Sequence, residues 1–224
     1  MYSTQLSDYR AYDTDNMIFQ PCEGRRLRVL THNMDGTRGD LVFSTPRFLS
    51  FGLQPVRDGD VVVGYQMPLV MWGKKGPTAD EESFVRAMED ITGASREHIL
   101  HHRAELGIEE DGLDRLSPLY YKTNTDQKDH APILYVRVNT HRDDDEVRVR
   151  TLFIDDTTRE PIDPMTLLNK RCLVDAAVRI DGVRLGAKAR FQMRLLEARV
   201  RILDRNGGGF KSLLEPGRVF AVKK

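Results

Sequence analysis

Apolar and polar positions alternate with a period of two along most of this chain, a pattern that predicts strands. Residues 26–33 set Leu27, Val29 and Thr31 against Arg28, Leu30 and His32. The turn Met34-Asp35-Gly36-Thr37 leads to a second strand around residues 41–44, a hairpin by the Asp-Gly rule. Apolar runs at residues 61–63 and 67–72 predict two more strands before residues 73–77 break the chain. Residues 132–138 alternate Ile133, Tyr135 and Arg137 with Leu134, Val136 and Val138. Residues 141–146 read as a charged turn, and residues 147–154 as one strand with Arg148 and Arg150 on its polar face. A short helix follows, capped by Asp163 with Pro164 first and Asn169 last. Cys172, Val174, Ala176, Val178 and Ile180 then alternate with Arg171, Leu173, Asp175, Ala177 and Arg179. Asp181-Gly182 predicts a two-residue hairpin turn, and residues 183–203 a very long strand bent at Gly186. Its apolar phase flips after Leu195, the mark of a β-bulge.

A period near 3.6 appears only in the middle of the chain. Thr78 or Asp80 caps a helix over residues 79–91, striped by Phe84, Val85, Met88 and Ile91. Residues 93–95 reset the chain, and Ser95 caps a second helix that Gly107 stops. Short strands, an inserted helical segment and a long coiled final hairpin predict a mainly β fold. The expected architecture is an OB-like Greek-key barrel with a helical insertion at residues 78–107, the alternative an open β-sandwich of α+β type. The expected domains are an N-terminal arm (1–24), the barrel (25–204) and a flexible basic C-terminal tail (205–224).

The chain has 224 residues, 40% hydrophobic and 30% charged, with formal net charge zero. The sum conceals an uneven distribution. Residues 76–129 carry 6 basic and 13 acidic side chains, whereas residues 166–224 carry 14 and 5. A neutral chain of this kind can still present one strongly positive face. Arg outnumbers Lys 25 to 9, and Arg suits phosphate forks and base stacking; a GC-rich genome would produce the same bias. No apolar run is long enough to span a membrane, and residues 1–24 lack the apolar stretch of a secretory signal. With only Cys22 and Cys172, a disulfide framework and a Cys-based zinc site are excluded, and a reducing interior is expected.

The strongest chemical signal is the cationic face of the last two strands. It gathers Arg171, Arg179, Arg184, Lys188, Arg190, Arg194, Arg199 and Arg201, with Glu197 the one glutamate of the long final strand. Residues on one face recur every ~6.6 Å, a repeat able to track the phosphates of an extended single strand. A solvated sheet face is the structural alternative. Arg137, Arg148 and Arg150 extend the basic set from neighbouring strands. Stacking candidates lie beside lysines: Trp72 before Lys74 and Lys75, and Tyr120 and Tyr121 before Lys122. Trp72 can equally be a core anchor. Asp143 to Glu146, with Asp155 and Asp156, could form a nuclease-like metal site, although turn carboxylates are usually only solvated. His98 and His102 have the i,i+4 metal spacing but lack a third ligand, and an exposed helix face explains them as well. Residues 207–212 resemble a phosphate loop but lack its Gly-Lys-Ser/Thr order, so a hinge is expected there. No Gly-x-Ser-x-Gly, dinucleotide fingerprint or Cys–His pair occurs, which points away from an enzyme; no cofactor is expected.

The segments Pro68-Leu69-Val70-Met71-Trp72-Gly73-Lys74-Lys75-Gly76, Ser117-Pro118-Leu119-Tyr120-Tyr121-Lys122 and Pro132-Ile133-Leu134-Tyr135-Val136-Arg137-Val138 carry a family resemblance. Together with Asp163-Pro164 and residues 171–203, the pattern resembles the replicative single-stranded-DNA-binding proteins of nucleocytoplasmic large DNA viruses. It is closest to the iridovirus type and distantly similar to the poxvirus and asfarvirus versions, over residues 60–204. The resemblance implies an OB-fold and sequence-independent binding of single-stranded DNA, with RNA as a second ligand class. It further implies action at viral replication sites in the host cytoplasm or nucleus, as a homodimer or higher oligomer. Many such proteins end in an acidic partner-binding tail; this chain ends basic, at Lys223-Lys224. The rival readings are a viral structural or assembly protein and a metal-dependent nuclease.

Overall fold

A computed structural model describes residues 1–114, 116–122, 130–143 and 146–203. The expected tail (205–224) and the hinge at residues 207–212 lie outside the described residues, as do Asp144 and Asp145. In chain order the strands are β1 (Gln5–Ser7), β2 (Met17–Phe19), β3 (Arg26–His32), β4 (Arg38–Ser44), β5 (Phe48–Ser50), β6 (Gln54–Asp58) and β7 (Val61–Val70). Helices α1 (Ala79–His101) and α2 (Arg103–Leu106) follow. The second half holds β8 (Leu119–Tyr120), β9 (Ile133–Val138), β10 (Thr140–Asp143), β11 (Glu146–Val149), β12 (Leu152–Asp155), β13 (Cys172–Arg184) and β14 (Arg190–Ile202).

Five strands close a ring. β13 pairs with β5, β5 with β7, β7 with β9, β9 with β14, and β14 returns to β13. Only the β9–β14 seam is parallel. This is the OB-like barrel expected from the alternation, and its closure replaces the open sandwich. The hairpin β3–β4 continues along the same edge of β13 as β5, opposite β14. Residues 1–24 add β1 beside β4, β2 beside β3, and Tyr9, which is buried edge-on against Phe84 of α1. Inward residues from every ring strand, among them Phe48, Met67, Leu134, Val174 and Leu195, fill the barrel and meet Phe84 and Met88 of α1. A second, smaller core joins Ile99 to Leu113, Val183, Leu185 and Ala189 at the β13–β14 tip.

Several local expectations change. The run at 61–63 and residues 67–70 of the second belong to one ten-residue strand, β7, which ends before Trp72, and β5 and β6 escaped notice because each is short. α1 runs unbroken through residues 93–95, from the Thr78–Glu81 capping box to His101. Ser95 does not cap a second helix; it continues the buried stripe Phe84, Met88, Ile91, Ser95, Ile99. The expected strand 147–154 divides at Arg150-Thr151, because the Thr151 hydroxyl is drawn inward to donate to Leu195 O at 2.8 Å. β11 therefore forms a separate hairpin with β10, and β12 joins β14. The turn expected at 141–146 is correspondingly shorter, since residues 140–143 are strand.

Asp181-Gly182 is not a turn. β13 runs straight through it, and the chain reverses at residues 185–189 instead. The ladder slips here: Ile180 pairs with Met193 and Gly182 with Gln192, leaving Asp181 as the extra residue of a bulge. Gly182 has φ +130°, and a Cβ there would lie 2.1 Å from Leu27 O on the crossing β3. The second slip, at Leu196, is the bulge foreseen from the phase flip: Ala177 pairs with Glu197 and Val178 with Leu195.

Gly182→Ala should lower the melting temperature sharply, since backbone strain alone costs about 1–3 kcal/mol and β3 must also move away. Gly186→Ala is the control: its nearest neighbour would be Lys188 O at 4.0 Å, and its melting temperature should match wild type. In the opposite direction, the buried Ser95 hydroxyl has no hydrogen-bond partner among the described residues. Ser95→Ala should stabilise the protein by about 1 kcal/mol in a denaturant titration, from helix propensity and relieved desolvation.

Candidate nucleic-acid interface

The register sets three arginines abreast on the outer face of the barrel. Arg179 of β13 stands opposite Arg194 of β14, and Arg194 beside Arg137 of β9, with Gln66 of β7 completing the row. Neighbouring strands lie about 4.8 Å apart, and like charges directly across a ladder repel. Asp181 resolves the conflict. Its carboxylate, 3% exposed, accepts the Nε–H of Arg179 at 2.6 Å and the Nε–H of Arg194 on its other oxygen. Arg26 Nη2 approaches to 3.7 Å. Asp40 on β4 accepts from Arg179 Nη1 at 3.2 Å, Arg28 Nη2 at 3.0 Å and the Tyr2 hydroxyl at 2.7 Å. Burial works against both the Asp40 carboxylate and the Arg179 guanidinium. For Asp40, the Tyr2 and Arg28 hydrogen bonds and the Arg179 charge outweigh it and hold the carboxyl below its ordinary range. For Arg179, Asp181 and then Asp40 outweigh it and raise the guanidinium.

A groove of about 910 Å³ opens on one side of Asp181, lined by Arg25, Arg137, Arg184, Lys188, Arg190 and Arg194 with Tyr135 and Phe191. A smaller one, about 340 Å³, lies on the other side, where Arg26, Arg28 and Arg179 face Glu23 and Asp40. The two share Asp181 and Arg194, so nine bases meet three carboxylates along one continuous surface. Arg25, Arg137, Arg184, Lys188 and Arg190 have no carboxylate partner among the described residues. Beside the large groove, Tyr135 (40% exposed) and Tyr120 (54%) form an edge-to-face pair with centroids 6.2 Å apart.

The other sequence-predicted residues fall elsewhere. Trp72 is half-buried and packs on the main core, beyond the end of β7, while Lys74 and Lys75 are exposed on the following turn. Tyr121 donates its hydroxyl to Glu89 at 3.0 Å; burial, and then Glu89, push its pKa up to about 12. Lys122 is exposed. Arg199 and Arg201 lie on β14 beyond the Leu196 bulge. Arg201 donates to Asp156 at 2.7 Å, Arg47 bridges Asp156 and Asp175, and Arg199 stands opposite Asp175. Arg148 approaches Asp143 at 3.7 Å, and Arg150 is exposed where β11 ends. The carboxylates considered for a nuclease have other duties: Asp155 accepts from the Thr157 and Thr158 amides, and Asp156 from arginines. Among the described residues no three His, Cys, Asp or Glu side chains group as metal ligands. His98 stacks flat on Phe19 at 3.9 Å, and His102 Nδ1 lies 2.9 Å from His98 O.

Arg25, Arg26, Arg28, Gln66, Tyr135 and Asp181 were absent from the sequence-derived set. Tyr135 could have been found, because the alternation already placed it on the face of Arg137. Arg26 and Arg28 likewise share the exposed face of β3. Asp181 could not, because its Asp-Gly dipeptide reads locally as a turn.

A family model described as a protein of unknown function (DUF2738) matches residues 11–222. Uncharacterized protein 007R of Invertebrate iridescent virus 3 is 28% identical over 165 residues, 72% of this chain and 36% of that protein. The Early 31 kDa protein of Frog virus 3 is 27% identical over 165 residues, 70% of this chain and 62% of that protein. The matches thus span less than two thirds of either relative. Among solved structures, gp2.5, a single-stranded DNA binding protein encoded by bacteriophage T7, is similar with a TM-score of 0.50 and 12% identity. That match covers 81% of this chain and 100% of gp2.5, a likeness of fold. The single-stranded DNA-binding protein from bacteriophage Enc34 in complex with ssDNA has a TM-score of 0.46 and 13% identity, over 87% of this chain and 99% of that one.

The Asp156 cluster makes a prediction about acid. Burial opposes its charge, but Arg47 and Arg201 hold the carboxyl below its ordinary value. A depressed carboxylate stabilises the fold above the unfolded-state pKa of about 3.9, and that stability is lost as pH falls through the lower folded value. Melting temperature should therefore drop as pH falls below about 4. Asp156→Asn, already less stable at pH 7, should show a flatter decline over the same range.

Proposed function

We propose that this chain, which belongs to the family described as a protein of unknown function (DUF2738), is a non-enzymatic single-stranded-DNA-binding protein acting in viral DNA replication, recombination or repair. The observation that carries this reading is the row Arg137–Arg194–Arg179 across the barrel seam, opening on a groove with five bases that lack a carboxylate partner among the described residues, beside an exposed tyrosine pair. An extended strand laid in the groove places phosphates against Arg137, Arg184, Lys188, Arg190 and Arg194. Its bases turn toward Tyr135 and Tyr120. Phosphate neutralisation and stacking are both indifferent to sequence, so binding should be largely sequence-independent. The fold shared with gp2.5 favours the same reading, and the relatives from Invertebrate iridescent virus 3 and Frog virus 3 favour the viral setting.

Titration of fluorescently labelled oligo-dT at several salt concentrations tests it. Four to six neutralised phosphates give a log–log slope of about −3 to −4, at roughly −0.7 each. Duplex DNA should bind more weakly. Arg137→Ala with Arg190→Ala should flatten the slope by about 0.7 per lost phosphate. Tyr135→Ala should weaken binding by about 1–3 kcal/mol without changing the slope. A slope near zero, or absence of binding, would overturn the proposal and favour a structural role in the virus.

A further inference from the structure

The most acidic feature of the groove wall is also the one that organises it. We propose that Asp181 is a positioning residue whose carboxylate strengthens the binding of a polyanion, although its charge taken alone repels one. The inference rests on the single-strand reading above.

Three observations lead there. Arg179 and Arg194 are cross-strand partners, and Arg194 also neighbours Arg137, so without a counter-charge the row would splay. Asp181 holds Arg179 and Arg194 by Nε. A guanidinium gripped at Nε keeps a fixed plane and can still offer its terminal nitrogens. For Arg194 those nitrogens have, among the described residues, one weak contact, Asn139 Oδ1 at 3.4 Å, and the side chain is 44% exposed. Finally, Asp181 cannot swing away: it is the extra residue of a bulge whose next residue, Gly182, is pressed against Leu27 O. The site thus fixes one carboxylate rigidly and suspends flexible arginines from it, so that less side-chain freedom is lost when phosphate arrives.

Simple Coulomb reasoning predicts that Asp181→Asn, which raises net charge by one, tightens binding. Positioning predicts the reverse. On the full-length protein, Asp181→Asn should lose one to two phosphate contacts, flattening the oligo-dT salt slope by about 0.7 to 1.4. That corresponds to about five- to twenty-five-fold weaker binding at 0.1 M salt relative to 1 M. The active fraction, from stoichiometric titration, separates this from partial unfolding, because misfolded molecules lower the fraction and leave the slope alone. Arg194→Lys, which keeps the charge but removes the Nε–H, should flatten the slope similarly at an unchanged melting temperature. A DNA-free readout accompanies both: Nε–H resonances of Arg179 and Arg194, protected from exchange in wild type, should lose protection in Asp181→Asn. Equal or tighter binding with an unchanged slope, or unprotected Nε–H groups in wild type, overturns the proposal. Protected Nε–H groups in a wild-type protein that does not bind oligo-dT would overturn the single-strand reading, and with it a role for Asp181 in that binding.

Discussion

One strand has more neighbours than a regular strand can serve, and the rest of the molecule follows from how it copes. Along one edge β13 pairs in turn with β5, β4 and β3; along the other it pairs with β14 over its whole length. Changing partners twice along that edge requires the strand to bend. Between β5 and β4 the Thr45 hydroxyl takes over and accepts the Ala176 amide at 3.1 Å. Between β4 and β3 the chain inserts Asp181 and draws Gly182 tight against Leu27. These departures curve β13 enough for β14 to reach β9 and close the ring. The second bulge, at Leu196, lets β14 follow the curve while keeping Met193, Leu195, Ala198 and Val200 inside.

The same bends arrange charge. Bulges re-aim side chains, and the Asp181 bulge turns a carboxylate toward the row of arginines that strand pairing alone would leave in conflict. A chain neutral in sum thereby acquires a positive seam. The acidic helical segment lies mostly on other surfaces, with α1 against the main core and residues 110–113 against the β13–β14 tip, where Ala189 donates to Gly112 O at 2.8 Å. That contact braces the loop carrying Lys188 at the edge of the large groove.

Much of this was legible in the residues. Period-two alternation marked β3 and β9 to within a residue or two and the bodies of β13 and β14, though not the reversal between them, and a phase flip located the Leu196 bulge. Thr78, one of two candidate caps with Asp80, announced the start of α1. What escaped depended on partners distant in sequence. Asp181-Gly182 satisfies the local rule for a hairpin turn, and only Leu27, on a crossing strand, makes it a bulge. Gly93 and Ser95 look like a break until the buried stripe they continue meets a core built from other strands. The basic residues themselves were evident, but their neutralisation was not: Arg179 depends on Asp40, 139 residues away, and Arg47 on Asp175, 128 residues away.

The two charge clusters on the outer face show why a list of arginines is a poor map of a binding surface. Beyond the Leu196 bulge, Asp156 and Asp175 engage Arg47, Arg159 and Arg201, with Arg199 alongside, so most guanidiniums there already hold a carboxylate. On the other side, Asp181 and Asp40 engage Arg26, Arg28, Arg179 and Arg194, while Arg137, Arg184, Lys188 and Arg190 stand beside them without a carboxylate among the described residues. The first arrangement is close to balanced and ties the start of β13 to the end of β14. The second carries an excess of positive charge that folding alone would not favour, because it concentrates like charges on adjacent strands. Folding tolerates that excess because one buried carboxylate orders its centre. Bringing a polyanion to this surface would complete the pairing that the barrel itself leaves unfinished, so the residual repulsion along the seam marks where a strand of phosphates should lie.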